Sequence, residues 1–242
     1  FAAYSLAQPH LSAIFFRATT NHSTMSTKFP PHFFFGTSTA AAQVETATNH
    51  SWKGLKAKDG YVFERTTDHE KRREEDAEYI AQFGSVYRCG IDWSRLQLTA
   101  FAPFEPSVIQ EYQSFFELLR SKEMKVMLVL HHFMHPNWFE EQGGWVNGDN
   151  ILAFIDYANQ CIEHFGQYVF SWNIFNEPNV FALNGYITGD FPPHKKNILT
   201  ASRVIRNMGK AHNMVYPLLK KSYPNTPVGI SFNTCYFKGI NF

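Results

Sequence analysis

The 242-residue sequence has little cysteine, no excess of either charge and no long apolar run, and each shortage excludes a class of protein. Cys89, Cys161 and Cys235 are far apart and form no CxxC pair, which excludes a zinc ribbon or a disulfide framework; reduced, buried thiols are expected. Lys and Arg number 22 against 21 Asp and Glu, so the basic footprint of a nucleic-acid binder is missing. The apolar patch from Leu11 to Phe16 stops at Arg17, well short of the roughly 20 residues of a membrane span and weaker than a signal-peptide core. Neither GxGxxG nor a P-loop follows any apolar run, and Gly143-Gly144 matches neither, so no nucleotide cofactor is expected. These absences describe a cytoplasmic protein with no nucleic-acid or membrane partner. The sequons at Asn21 and Asn49 would matter only after secretion.

What is present is a sizeable core, with 44% apolar residues in a length suited to one large domain. Residues 1–28 show no sustained period and read as an unstructured leader, with Met25 a plausible natural start. From Phe29 onward short β-type runs alternate with helical periods, the pattern of βα units and a parallel sheet. Strands are expected at Phe33 to Thr39, Ser85 to Trp93, Lys125 to His132, Val169 to Asn176 and Val228 to Asn233. Helices are expected from Asp68 to Gln82 with a solvated charged face, after a capping box at Ser107 and Gln110, after an N-cap at Asn150, and from Ile198 with a kink or early end at Pro217. A closed barrel takes about 250 residues or more, yet the fifth strand falls near the end of this sequence. The pattern therefore fits an open doubly wound sheet or the first portion of a (β/α)8 barrel. As the former the chain would be one α/β domain; as the latter, residues 29–242 are a partial barrel.

In either array chemistry gathers at the carboxyl ends of the strands. Gln43, Arg88, Asp92, Arg95, His131, His132, Asn176 and Glu177 fall there, groups suited to a ligand rich in hydroxyls. Glu177 closes a strongly apolar run, and Pro178 ends the strand, which projects the carboxylate toward a cleft as a candidate acid. Phe133, Trp138 and Trp145 could face a sugar ring, although most aromatics in a chain with 24 Phe belong to the core. His131, His132 and His135 invite a metal, but neighbours on a strand point to opposite faces, so packing or hydroxyl binding is preferred and no metal is expected. For Asp92 the expectation is a structural ion pair.

Phe34 through Gln43, Tyr87-Arg88-Cys89-Gly90-Ile91-Asp92-Trp93-Ser94-Arg95, His132 with Gly143-Gly144-Trp145, Phe175-Asn176-Glu177-Pro178 and Gly185-Tyr186 resemble, in order, the front half of glycoside hydrolase family 1, the β-glucosidase family. The resemblance implies the (β/α)8 barrel, a β-glycoside as small-molecule or oligosaccharide partner, and hydrolysis of O-glycosyl bonds by the retaining mechanism. It further implies Glu177 as general acid and base, Asn176 at the sugar 2-hydroxyl, Gln43 and His132 as a hydroxyl-binding pair, and Arg88 beside the nucleophile, holding it ionised. The sequence departs from the family in His131-His132-Phe133, commonly Tyr-His-Trp, and in Ile174, commonly Thr. It also contains no Glu-Asn-Gly segment, the family's source of the second carboxylate, which the mechanism requires about 5 Å from the first. The expectation is a fragment with half of an active site. A transglycosidase of the same fold, or a noncatalytic carbohydrate-binding product, is the alternative.

Overall fold

The computed structural model describes residues 29–30, 32–46, 49–56, 60, 62–63 and 66–234. The expected leader and Cys235 lie outside the described residues. By contacts the chain divides into Phe1–Phe33 and Phe34–Phe242. In the first unit the Phe33 N–H donates to the Pro30 carbonyl at 2.9 Å. All elements below belong to the second.

Their order is β1 (Gly36–Thr39), α1 (Ala41–Val44), α2 (His69–Phe83), β2 (Val86–Gly90), α3 (Trp93–Leu96), α4 (Pro106–Ser121), β3 (Lys125–His131), α5 (Asn137–Glu141), α6 (Asn150–Phe165), β4 (Val169–Asn176), α7 (Pro178–Leu183), α8 (Ile198–Ser222) and β5 (Val228–Ser231). The strands form one parallel sheet in the order β1-β2-β3-β4-β5. A doubly wound sheet reverses its strand order at a switch point; this sheet never does, and it follows the order of a barrel wall. The inner strands β3 and β4 are nearly all buried because helices cover one face and the concave side closes on the other. Entry to the sheet is tight: a Cβ on Gly84 would sit 2.3 Å from the Phe35 carbonyl oxygen, and one on Gly36 would sit 2.3 Å from that of Val86. β1 begins at Gly36, where pairing with Val86 starts, and not at Phe33.

Several expected boundaries shift for local reasons. β2 stops at Gly90 because Asp92 turns inward to cap α3. α4 starts at Pro106, whose fixed φ and missing N–H suit a first helical position, so the Ser107 and Gln110 box is not used as a cap. Asn150 is the first residue of α6, not its cap, and its amide donates to the carbonyls of Phe139 at 3.2 Å and Gly144 at 3.0 Å. α8 runs through Pro217 to Ser222. Pro217 and Asn213 are both exposed, so water can reach the carbonyl that the ring leaves without a donor. In α2 the charged run is mostly solvated as expected, except that Arg73 is buried over the Tyr112 ring at 4.6 Å. Among the described residues no helix is long and apolar enough to cross a membrane.

The core lies between sheet and helices and is strongly aromatic, with Cys89 and Cys161 buried in it as free thiols. Phe154 on α6 stacks on Phe175 of β4 at 5.0 Å and meets Trp145 at 5.1 Å and Trp93 at 5.8 Å. Its ring is fully buried. Phe154→Ala is expected to cost about 3–5 kcal/mol, read as a lower urea midpoint, and Phe154→Leu clearly less. Equal losses from the two would show that cavity volume is not what the ring supplies.

Candidate active site

Arg88 stands on β2 opposite Ser38 of β1, by the register of the sheet. Its guanidinium reaches across the concave face, donating from Nη1 to Ser38 Oγ at 3.3 Å and from Nη2 to Asn176 Oδ1 at 2.6 Å. Nη2 also lies 3.4 Å from Ser231 Oγ on β5, directly opposite Asn176. The Asn173 amide completes the cluster once its O and N are exchanged so that both find partners: its oxygen then accepts from Arg88 Nη2 at 3.0 Å and Ser231 Oγ at 2.5 Å, while its nitrogen donates to the Phe175 carbonyl at 2.7 Å. One cation thus joins β1, β2, β4 and β5. Burial makes the Arg88 proton easier to lose, while the Cys89 thiol and the Glu177 carboxylate oppose that shift.

Glu177 follows directly. It is half-buried, with left-handed backbone (φ 43°, ψ 58°), a conformation that costs a non-glycine residue about 1–3 kcal/mol. Three contacts hold it there. Its N–H donates to the Ser231 carbonyl at 2.9 Å, its carbonyl accepts from Phe181 N–H at 3.0 Å, and Pro178 starts α7 immediately behind it. The sharp change from strand to helix turns the residue out of the sheet beside the Arg88 cluster.

His132 comes just after β3, half-buried. Burial first, and Arg88 second, push its imidazole down to about 3, so it is neutral near pH 7 and can both donate to and accept from a hydroxyl. Gly90 sits between it and the α1 segment: a Cβ there would lie 3.7 Å from both the His132 Cβ and the Ala41 nitrogen. Gln43, on α1, is exposed, and its side chain makes no hydrogen bond with His132 or the Arg88 cluster. Phe133 and Trp52 stack with ring planes 19° apart, and with Phe191 they cover the same segment.

The other candidates belong to the scaffold. His131 is buried among Trp145, Phe175 and Phe181, accepts from Trp145 Nε1 at 3.1 Å, and is held well below the usual histidine range by burial, His135 and His132. His135 meets the Glu140 carboxylate at 2.9 Å. Among the described residues no group of three or more His, Cys, Asp or Glu is placed to hold a metal ion. Trp145 is core, and Trp138 is half-buried against Trp93 with its indole donating to the Gln97 carbonyl at 3.0 Å. Asp92 makes no ion pair among the described residues; it caps α3 through Ser94 N at 2.8 Å and Oγ at 2.6 Å. Arg95 faces away from the cluster, paired to Glu45 at 3.0 Å and Glu111 at 2.5 Å. Burial raises the Glu45 carboxyl despite Arg73 and Arg95, and the Tyr112 hydroxyl donates to it at 2.8 Å. This network anchors the segment that carries Gln43. Ser38, Asn173, Ser231 and Glu45 were not singled out from sequence; only strand register, or a position two residues after Gln43, could have marked them.

The profile of glycosyl hydrolase family 1 matches residues 25–239. The chain belongs to this family. It is 32% identical over 211 residues to a 6-phospho-beta-galactosidase of Clostridium acetobutylicum, covering 84% of this chain and 44% of that protein. It is 33% identical over 201 residues to beta-glucosidase 25 of Oryza sativa, covering 78% and 40%. The beta-glucosidase from Thermotoga maritima in complex with castanospermine superimposes with a TM-score of 0.84 at 27% identity, over 88% of this chain and 51% of that one. The chain thus spans about half the length of the relatives it matches, and its five-stranded sheet is a partial (β/α)8 barrel of the family.

His132 gives acid sensitivity a defined sign. Its folded-state value lies far below the ordinary 6.5, so its contribution to stability is complete above that pH and is lost as pH falls toward about 3. Glu45 and Asp92, both raised, act in the opposite sense. Urea unfolding of His132→Gln should therefore show a rise of stability with pH that is smaller than the parent's, as a signed slope, by about 1 kcal/mol per pH unit between roughly pH 5.5 and 4. Parallel slopes would show that His132 is protonated in the folded protein.

Proposed function

We propose that this chain supplies the acid/base half of a retaining β-glycosidase site. The observation that carries the reading is the bond between Arg88 and Asn176, with Glu177 next in the chain. A retaining enzyme needs one carboxyl group to protonate the departing glycosidic oxygen and later to take a proton from water. Glu177 has that role. Asn176 is committed by its oxygen to Arg88, which leaves its amide N–H free to donate to the sugar 2-hydroxyl, a contact that strengthens as positive charge grows on the ring. Gln43 and neutral His132 bind further hydroxyls, and Phe133 gives the sugar an apolar edge.

Arg88 keeps the second carboxylate ionised, because a close cation favours the charged form. The retaining mechanism takes that carboxylate as its nucleophile, and these 242 residues contain no Glu-Asn-Gly segment to supply it. The 242-residue polypeptide by itself is therefore expected to give little or no turnover of any aryl β-glycoside. Normal glycosidase rates from a pure, sequence-verified sample would overturn the assignment. An aryl glycoside panel on a polypeptide carrying both carboxylates identifies the sugar.

In that polypeptide Glu177→Gln removes both the proton donor of glycosylation and the base of the second step, so the glycosylation step alone reports the acid role. Glycosylation should slow by about 10²- to 10⁴-fold for poorly departing alkyl aglycones and far less for dinitrophenyl glycosides, which leave without a proton. Pre-steady-state rates with both substrate types decide it. Equal losses would remove Glu177 from the acid role.

A further inference from the structure

α8 carries Arg203, Arg206 and Lys210 at a spacing that sets all three on one face. They border a cleft of about 530 Å³ whose opposite wall is the turn containing Gly143 and Gly148. No carboxylate lines it; Asp149 follows Gly148 but lies outside the lining. Arg73, Arg88, Arg95 and Arg120 each have an acceptor or carboxylate partner, whereas these three exposed cations have none among the described residues. Like charges at this spacing repel by a few tenths of a kcal/mol per pair, and no carboxylate among the described residues offsets it.

The cleft is also preformed. Asn207, buried on α8 between the cations, donates from its amide to the carbonyls of Trp145 at 2.9 Å and Val146 at 3.3 Å, which fixes the turn against the helix. A Cβ on Gly148 would meet only Asn207 Oδ1, at 3.9 Å, so the backbone on that wall is bare. The Gly148 N–H has no acceptor among the described residues.

We infer that this cleft binds a phosphate group. Two guanidiniums and an ammonium suit a tetrahedral dianion, which can take paired N–H donors from each arginine. The volume exceeds that of a bare ion and falls within the range of small-ligand pockets, which leaves room for the remainder of a phosphate ester. No lining residue belongs to the Arg88 and Glu177 cluster, so the site stands or falls independently of the glycosidase reading.

The test is calorimetric titration of the 242-residue chain at about pH 7.5 and low ionic strength, with inorganic phosphate and with a hexose 6-phosphate as separate probes. Saturable one-to-one binding of at least one probe is expected, weakened by added sodium chloride. Arg203→Ala/Arg206→Ala should weaken it by about tenfold or more, with the far-ultraviolet circular dichroism unchanged. Tighter binding of the ester assigns the cleft to a phosphorylated metabolite, and equal binding assigns it to the free ion. If the alanine pair fails to fold, Arg203→Lys/Arg206→Lys keeps the charge and should still weaken binding by about threefold through loss of the paired donors. Absence of saturable heat with both probes, or unchanged affinity in the folded variant, overturns the inference.

Discussion

The hydrogen bond from Arg88 to Asn176, 2.6 Å across the concave face of the sheet, is the interaction on which the site depends. A guanidinium taken out of water needs an acceptor for most of its N–H groups, or the burial is strongly unfavourable. Here the acceptors come from β1, β4 and β5, so solvating one cation requires the sheet to curve until its first and fifth strands face each other. The same demand sets Asn176 with its oxygen inward, and Glu177 follows as the next residue in the chain. Curvature, amide orientation and the placement of the acid are thus one problem with one solution.

Behind the sheet a second layer works by different physics. Phe154 and Phe175 stack, and Trp145 and His131 meet both rings edge to face, with His131 kept neutral and accepting from an indole. Adjacent His131 and His132 therefore do unrelated work, one in the aromatic layer and one beside Arg88. A third element, the buried Glu45, Arg95 and Tyr112 set, ties the segment after β1 to the helices outside the sheet. Each layer restricts the others, because a strand residue shifted by one position would exchange its core and cleft faces.

Much of this was legible in the sequence. The strands of the second unit were placed to within a few residues, since parallel strands buried on both faces read as apolar runs, and Glu177 stood out because its run ends in proline. Topology was not legible in the periodicity, which cannot distinguish a doubly wound sheet from a barrel wall; the ordered motifs implied the barrel, and the strand order agrees with them. Caps were misplaced by one or two residues: the N-cap position of α4 is Glu105 and not Ser107, and that of α6 is Asp149 and not Asn150. Ser231 and Asn173 were missed because their importance lies in what they face across strands, a relation that local sequence does not carry. Asp92 and Arg95 had the right chemistry at a strand end, yet backbone turning took both to other partners.

The Ser231 carbonyl that receives the Glu177 N–H has a consequence for synthesis. Among the described residues β5 pairs with β4 alone, and until it does the left-handed turn at Glu177 lacks one of its three restraints, while Arg88 lacks its Ser231 contact. On a ribosome, therefore, the acid emerges long before the residue that locks it. A chain paused between α8 and β5 would hold every side chain of the cluster except the serine, with one of the three restraints on Glu177 still missing.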